Sequence, residues 1–491
     1  MFDKVHRVTG LAHYYMEDYI RSFDKDANVS LTDLTSIPKR YIGFSGRVTY
    51  SFKDTYMVEG NIGYTGSEAF EKGKKFGYFP AISLGWVPTQ YKFMQEQLPI
   101  LDFLKFRGSY GTVGNDRMNT RFPYLTLMGT VNSGIWNNGP GYTETQVGSS
   151  NLRWETSKKA NFGIDAKFLK NRFDFTIDFF NDIRSGIYQQ RASTPEEMGL
   201  VTLPYANVGK MKSWGVDGHL SYTQTIDKDM YFVLRANFTQ SKNKLIQYEE
   251  AIVRYPYQSS VGYQYGINRG LIALGLFKDA ADVQNSPKQT FTSQVLPGDI
   301  KYKDVNGDGV INDYDVVPLD YSSTPQIQYG FATEFNWKNW NLSVLFEGVS
   351  RVKYFSSGNG FYPFVGREVG NVLDIVSDRW TSREISGTAA TENPNARFPR
   401  LTYGDNANNN RNSTFWLNDG SYLRLKNVQI SYQMKGKLME KVGIKNTTFS
   451  IIGENLHVWD KVKIFDPGQA NKNGSVYPMQ RVFTLQMNMQ F

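Results

Sequence analysis

The chain has 491 residues and no cysteine, which excludes disulfides, thiolate metal sites and thiol catalysis. Its 55 basic and 47 acidic residues give a net charge of +8, and this mild excess does not resemble a nucleic-acid patch. The mean hydropathy is −0.46 and no apolar run reaches about 18 residues, which argues against a helical membrane protein. An aromatic share of 15% is high for a soluble protein and natural for the aromatic belts of membrane proteins.

Apolar residues alternate with polar ones at many places along the chain, which is the period that a strand imposes. This alternation predicts fourteen strands, near residues 5–18, 41–52, 55–65, 79–87, 104–113, 157–168, 172–182, 214–226, 229–241, 324–337, 340–349, 421–433, 446–456 and 481–491.

The last strand shows the pattern most clearly. Its apolar positions are Phe483, Leu485, Met487, Met489 and Phe491, and the residues between them are polar. A soluble sheet with a core on one face fits this pattern, and so does a membrane barrel with lipid on one face and a wet lumen on the other.

The connections between the predicted strands alternate in length. Tight turns are predicted at 53–54, 169–171, 227–228 and 338–339, whereas the connections at 114–156, 242–323 and 350–420 are very long. Outer-membrane barrels have short periplasmic turns and long extracellular loops, so we expect an all-β transmembrane antiparallel β-barrel. Two connections on the turn side, 88–103 and 434–445, are longer than this rule predicts.

Several stretches, in order along most of the chain, resemble the C-terminal part of SusC/RagA-type TonB-dependent transporters. They are SIPKRYIGFSGRVTYSFKDTYMVEGNIGYTGSEAF (36–70), FGYFPAISLGWV (76–87), LDFLKFRGSYGTVGND (101–116), PGDIKYKDVNGDGVINDYD (297–315) and NDGSYLRLKNVQISY (418–432). The resemblance implies a parent barrel of about 22 strands, filled by an N-terminal plug and capped by a SusD-like surface lipoprotein. It also implies import of glycans or peptides, driven through TonB by the proton-motive force.

The sequence departs from that family pattern by lacking the front half of the pattern. Residues 1–31 contain no apolar signal-peptide core, and no TonB box or plug segment is recognisable. An open sheet has unpaired edges that lipid does not tolerate. We therefore expect residues 1–491 to be the C-terminal part of a barrel whose plug and remaining strands come from another chain or an upstream region. A smaller barrel closed by fourteen strands is the alternative.

One segment, 297–318, has the spacing of a calcium loop within an extracellular loop. The six candidate ligands are Asp304, Asn306, Asp308, Val310 through its carbonyl, Asn312 and Asp315. The last of them is Asp where an EF-hand has Glu, and flanking helices are not expected because prolines stand on both sides. We expect a structural Ca²⁺ that holds the long loop, and an Asx-rich turn without metal is the alternative.

The other polar and aromatic residues carry weaker signals. His6, His13, His219 and His457 have no metal-ligand spacing, and Asp174, Asp178, Arg235 and Glu347 lie on polar strand faces without a catalytic assignment. Six loop aromatics either stack on sugars or peptides or pack between loops: Trp136, Tyr142, Tyr255, Tyr257, Phe361 and Tyr362.

We therefore expect the barrel portion of an outer-membrane nutrient importer that is not an enzyme. Its expected partners are a SusD-like lipoprotein, the TonB complex through the plug, the remaining barrel strands and outer-membrane lipid, with no nucleic acid. Two alternatives are a surface enzyme, for which no nucleophile and base are recognisable, and a secreted calcium-binding adhesin with soluble β-domains.

Overall fold

The structure is a computed structural model, and it describes residues 5–19, 37–118, 121–131, 141–358, 361–364, 374–434, 443–472 and 475–491. Fourteen long strands form one antiparallel sheet in which sheet order follows chain order. They are β1 (His6–Tyr19), β2 (Lys39–Phe52), β3 (Tyr56–Ser67), β4 (Phe76–Trp86), β5 (Leu101–Asn115), β8 (Glu155–Phe168), β9 (Phe173–Gln190), β10 (Tyr205–Thr225), β11 (Met230–Gln247), β18 (Ile327–Trp337), β19 (Trp340–Ser350), β22 (Tyr422–Met434), β23 (Asn446–Asp460) and β24 (Val482–Gln490).

In the described parts of the long connections, ten short strands pair two by two. The pairs are β6 (Leu127–Val131) with β7 (Gly141–Gln146), β12 (Arg269–Gly270) with β17 (Val317–Pro318), β13 (Ala273–Leu276) with β15 (Ile300–Tyr302), β14 (Lys288–Gln289) with β16 (Val310–Ile311), and β20 (Lys353–Phe355) with β21 (Leu417–Asp419).

Helices are short throughout the described part of the chain. The α-helices are α1 (Lys92–Gln97), α2 (Ala280–Gln284) and α3 (Arg383–Ser386), and 3-10 turns occur at Pro88–Gln90, Glu196–Met198, Pro256–Gln258, Asp313–Asp315, Asp374–Asp378 and Pro467–Lys472. In these described segments, every helix is too short or too polar to cross a membrane.

The chain divides into two compact units. Unit 1 comprises Met1–Tyr222, Ser241–Ile252 and Ser260–Gly262, and unit 2 comprises Thr223–Gln240, Val253–Ser259 and Tyr263–Phe491.

In unit 1, β2 joins β3 and β8 joins β9 through tight turns whose backbone bends into the left-handed region. Lys53 and Asp54 have φ of 53° and 50°, and Leu169 has φ of 57°. Side chains along β3 alternate between exposed and partly covered, and its exposed positions are aromatic or aliphatic over most of the strand. The sheet of unit 1 therefore presents an apolar face to its surroundings, as the alternation predicted.

In unit 2, the hydrophobic core lies in the long loops. The buried cluster consists of Leu271, Ile300, Tyr302, Ile311, Phe361, Tyr362 and Trp416. These residues come from the 242–323 and 350–420 connections, which therefore pack on each other as a folded layer. Burying such side chains stabilises a fold by about 1.5–3 kcal/mol each.

All fourteen predicted strands are present, and three of them extend furthest beyond their predicted bounds at one end. β9 runs to Gln190, β10 begins at Tyr205, and β11 runs to Gln247. These extensions lie at the loop end of each strand, where polar residues occupy both faces and the alternation fades. Backbone pairing, for example Tyr205 with Gln190, continues there without a sequence signal.

Candidate functional site

The acidic loop, defined as residues 304–315, folds as a chain of Asx turns in unit 2. Asp304 accepts hydrogen bonds from the backbone N–H groups of Gly307 (2.7 Å) and Gly309 (2.8 Å). These two glycines have φ of 76° and 80°, a conformation that side chains with a Cβ rarely adopt. The glycines allow the backbone to curl so that its N–H groups point at one carboxylate.

The next two predicted ligands repeat the same turn. The side-chain oxygen of Asn306 accepts from the N–H of Asp308 at 2.9 Å, and Asp308 Oδ1 accepts from the N–H of Val310 at 2.9 Å. Asn306 Nδ2 also donates to Asp308 Oδ2 at 3.0 Å. The three side chains at loop positions 1, 3 and 5 are thus held by local hydrogen bonds.

Asp315 closes the acidic loop from the far end. Its side chain is 0% exposed, and its two oxygens accept from the N–H groups of Val305 (2.8 Å) and Asn312 (2.9 Å). Asn312 in turn accepts from the N–H of Tyr314 at 2.7 Å and so caps the 3-10 turn Asp313–Asp315. A shorter Asp at this position therefore reaches backbone donors at both ends of the loop.

The donor set of the acidic loop is compatible with calcium in its chemistry. All side-chain donors are carboxylate or amide oxygens, and an oxygen that accepts one N–H retains a second lone pair. In the described parts of the chain, no three or more His, Cys, Asp or Glu side chains are grouped closely enough to hold a metal. The structure thus arranges the predicted ligands along one loop through backbone contacts.

An aromatic cluster packs beside the acidic loop. The Tyr257 hydroxyl donates to the backbone carbonyl of Tyr314 at 2.7 Å, and the rings of Tyr255 and Tyr257 stack at 5.4 Å. Arg254 lies over the rings of Tyr255 (5.5 Å) and Tyr314 (5.1 Å). Burial raises the pKa of Tyr257, and the nearby charge of Asp315 raises it further.

The remaining loop aromatics divide into packed and exposed residues. Phe361 and Tyr362 are buried in the loop core, so they serve packing. Tyr142 is 75% exposed, and Trp136 lies outside the described residues.

Charged residues on the polar strand faces form ion pairs. Arg107 bridges Asp165, at 3.1 Å from Nε to Oδ2, and Asp178, at 2.5 Å from Nη1 to Oδ1. Asp174 lies 3.3 Å from Lys167 and 3.8 Å from His219 Nε2. Opposite charges on neighbouring strands stabilise each other on the polar face of a sheet.

The same pairing extends to the polar face of unit 2. Arg235 lies 3.4 Å from Glu334, and Glu347 lies 3.3 Å from Lys426. Among the described residues, the polar-face residues singled out from the sequence therefore all have an oppositely charged partner.

A buried polar network joins the two long loops of unit 2, and sequence reasoning did not identify it. Asp299 is 0% exposed, and its Oδ1 lies 2.8 Å from Arg400 Nε and accepts from Asn409 Nδ2 at 2.9 Å. Asn408 Nδ2 donates to the carbonyl of Ile300 at 3.0 Å. The only sequence signal was the Asn-rich run at 406–410, which by itself is indistinguishable from a polar turn.

The comparisons with known proteins agree with this architecture. Residues 2–456 match the family model described as TonB dependent receptor-like, beta-barrel. The chain belongs to the TonB-dependent receptor family. The matched residues include most strands of the sheet, the tight turns and the acidic loop.

Two curated relatives carry names of this family. TonB-dependent receptor P26 of Formosa agariphila is 27% identical over 498 residues, covering 95% of this chain and 48% of that protein. TonB-dependent receptor SusC of Bacteroides thetaiotaomicron is 22% identical over 466 residues, covering 92% of this chain and 44% of that protein. The chain therefore spans about half the length of the curated relatives it matches.

Solved structures show the same fold. The RagAB peptide transporter superposes with a TM-score of 0.76 at 20% identity, covering 100% of this chain and 54% of that chain. The RagAB peptide importer in its open-open state gives 0.77 at 21% identity. This TonB-dependent receptor chain is thus an all-β outer-membrane protein that is similar to SusC in sequence and to the RagAB transporter in fold.

Proposed function

We propose that the chain forms part of the barrel wall of a TonB-dependent importer that takes up glycans or peptides across the outer membrane. The observation that carries the proposal is the sheet itself, in which tight turns join the strands at one end and folded loops emerge at the other. Membership of the TonB-dependent receptor family supports it, as do the SusC relative and the RagAB peptide transporter.

We also propose two partners for this importer. A SusD-like lipoprotein covers the long loops, and the TonB complex supplies the energy. The loop core of unit 2 supports the first partner, because it makes the long loops an ordered surface that a lipoprotein is able to recognise. We propose that this assembly transports ligands and has no catalytic role, because the chain belongs to the TonB-dependent receptor family.

The acidic loop is proposed as a structural Ca²⁺ site. Asp304, Asn306, Asp308 and Asp315 would supply side-chain oxygens, with the Val310 carbonyl and Asn312 completing the spacing. The ion would balance the charge of three carboxylates that the backbone already holds on one loop.

An uptake assay tests the import proposal. Cells that carry the gene and cells that lack it are given fluorescent peptides or glycans, in the presence and absence of functional TonB. The proposal expects uptake of at least one class only when both the chain and TonB are present. Uptake that is the same in all four strains for every probe would reject it.

Copurification tests the lipoprotein. The tagged protein is extracted from outer membranes in mild detergent and analysed by mass spectrometry. A surface lipoprotein should be recovered in an amount similar to that of the chain, and its absence after chemical crosslinking on intact cells would reject this partner.

A further inference from the structure

A cavity of about 600 Å³ lies in unit 2, at the end of β22 and β23 from which the long loops emerge. This volume is within the range of about 300–1,000 Å³ that small-ligand sites occupy. Its charged lining residues are Arg424, Asp460, Lys463, Asp466 and Arg481, and Ile464 and Phe465 add apolar wall.

Arg424 is the unusual residue of this cavity. Its side chain is only 3% exposed, yet it comes from a strand position that faces the cavity. Nη2 donates to Asp466 Oδ1 at 2.7 Å, Nη1 donates to the thioether sulfur of Met479 at 2.7 Å, and the guanidinium carbon lies 5.2 Å from the centre of the Tyr422 ring. Nε lies 3.4 Å from Glu347 Oε1 and makes no hydrogen bond to any residue that the structure describes.

The guanidinium therefore has fewer hydrogen-bond acceptors than donors among the described residues. It has five N–H donors in a planar fork, a thioether is a weak acceptor, and of its two carboxylate partners only Asp466 accepts a hydrogen bond, since Glu347 makes an ion pair without one. Buried polar groups almost always have hydrogen-bond partners, and a buried charge without them is costly. A missing acceptor beside a cavity points to a ligand that supplies it.

The neighbouring carboxylates are already engaged. Asp466 Oδ1 also accepts the N–H of Gly468 at 2.9 Å, and Asp460 accepts the N–H of Lys463 at 2.9 Å. Glu347 is shared with Lys426 at 3.3 Å. With three basic and two acidic side chains, the lining has one net positive charge, which favours an anionic group.

We propose that this cavity is a subsite for the carboxylate group of a transported ligand, with Arg424 as the residue that binds it. The inference rests on the proposed import function and names the chemical class of its ligand. The planar guanidinium matches a planar carboxylate in two parallel hydrogen bonds, and Arg481 and Lys463 attract the anion to the cavity. The carboxylate belongs either to an acidic or C-terminal group of a peptide or to a uronate of a glycan.

Binding to the purified protein, with all chains that copurify, distinguishes these sources. Titration calorimetry would use an N-acetylated tripeptide with a free C-terminal carboxylate beside its C-terminal amide, and a glucuronate-containing disaccharide beside its glucose counterpart. At least one acid should bind, and its neutral partner should bind at least about tenfold more weakly, the loss of one strong charged contact. The acid that binds identifies the source.

Variants locate the binding to Arg424. Arg424→Lys keeps the charge and loses the planar fork, so acid binding should weaken about tenfold. Arg47→Met removes a cation from the polar face of unit 1, where Arg47 donates to Asn61 at 2.9 Å, and should leave binding unchanged. Should Arg424→Lys fail to fold, Arg481→Gln at the same cavity should weaken acid binding and reduce its dependence on salt.

Two results would overturn the inference. One is equal affinity of acid and neutral partner for both pairs, and the other is no binding of either acid at about millimolar concentration. Ligand binding to the purified protein in detergent does not depend on energised TonB. The binding test of this inference and the uptake test of the import function can therefore give opposite results. TonB-dependent uptake without preference for acids would reject the inference alone, whereas acid binding without uptake would reject the function alone.

Discussion

Tyr257 and Tyr314 join the aromatic cluster to the acidic loop, because the Tyr257 hydroxyl donates to the Tyr314 carbonyl at 2.7 Å. The two residues are far apart in the chain, and the contact holds one end of the acidic loop against residues 254–257. The order of the acidic loop should therefore depend on this contact.

Tyr257→Phe removes the hydrogen bond and keeps the ring. The change should lower the local opening free energy of residues 304–315 by about 1 kcal/mol, the usual contribution of one such bond. Hydrogen exchange measured by mass spectrometry would report it as faster exchange in that segment. The matched control is Tyr142→Phe, since Tyr142 is highly exposed. Equal hydrogen exchange of residues 304–315 in both variants would show that the Tyr257 hydroxyl does not stabilise the acidic loop.

Calcium should protect the acidic loop. Chelation of the wild-type protein should speed hydrogen exchange in residues 304–315 and leave the strands unchanged, because the strands are held by their own backbone pairing. Asp304→Ala with Asp308→Ala should abolish both the response to chelator and one bound calcium per chain. Metal content by mass spectrometry that is the same in wild type and double variant would reject the site.

The buried network around Asp299 should be essential to the loop core. Asp299→Ala leaves the Arg400 guanidinium, which is 2.8 Å from Asp299 in the native chain, without its buried partner. Loss of one member of a buried ion pair destabilises by about 3–5 kcal/mol. We expect limited proteolysis to cut residues 289–302 and 400–416 in this variant.

The exposed pair of Lys461 and Asp419 is the control for that experiment. Their charged atoms are 3.0 Å apart, and 76% of the Lys461 side chain is exposed. Lys461→Ala should change stability by no more than about 1 kcal/mol and should leave the proteolysis pattern intact. A similar pattern in both variants would contradict the role assigned to the buried network.

Acid should weaken the contact between α2 and β15. A hydrogen bond from Lys301, at 2.8 Å, is the main cause that lowers the pKa of Asp282 below its ordinary value of 3.8. Because the folded pKa is depressed, this stabilisation is present above pH 3.8 and is lost as the pH falls through the folded pKa. Pepsin should cut residues 278–302 more readily below that pH.

Lys301→Met should remove this pH dependence, because the variant has no ammonium to hold the Asp282 carboxylate. Lys303→Met, two residues along the same segment, should keep it. A pepsin profile that Lys301→Met does not alter would show that another group controls the acid response.

The sequence predicted the sheet well because strand alternation and tight turns are local signals. The alternation from Phe483 to Phe491 identified the two faces of that strand without information on its partner strand. The turn at 53–54 was predicted from the short length of the connection alone. The extensions of β9, β10 and β11 were missed because polar residues occur on both of their faces, so the alternation that marks a strand fades there.

The loop core could not be predicted from the sequence, because its contacts join distant segments. Gln289 Nε2 donates to Asn408 Oδ1 at 2.7 Å across more than a hundred residues, and the two-residue strand Val310–Ile311 forms only because Lys288–Gln289 lies beside it. The acidic loop was found because its spacing is local, and Arg424 was missed because its burial depends on residues from the 461–481 segment.

We propose that the chain crosses the outer membrane with its tight turns in the periplasm and its long loops outside. Residues 1–491 contain no cysteine, so each single substitution adds one label site to them. Leu274→Cys places a thiol in the 242–323 loop, where Leu274 is 58% exposed, and Lys228→Cys places one in a tight turn where Lys228 is exposed.

Labelling of intact cells with a membrane-impermeant maleimide is the measurement that decides this topology. We predict that Leu274→Cys is labelled on intact cells, whereas Lys228→Cys is labelled only after the outer membrane is permeabilised. Labelling of Lys228→Cys on intact cells with protection of Leu274→Cys would contradict the account.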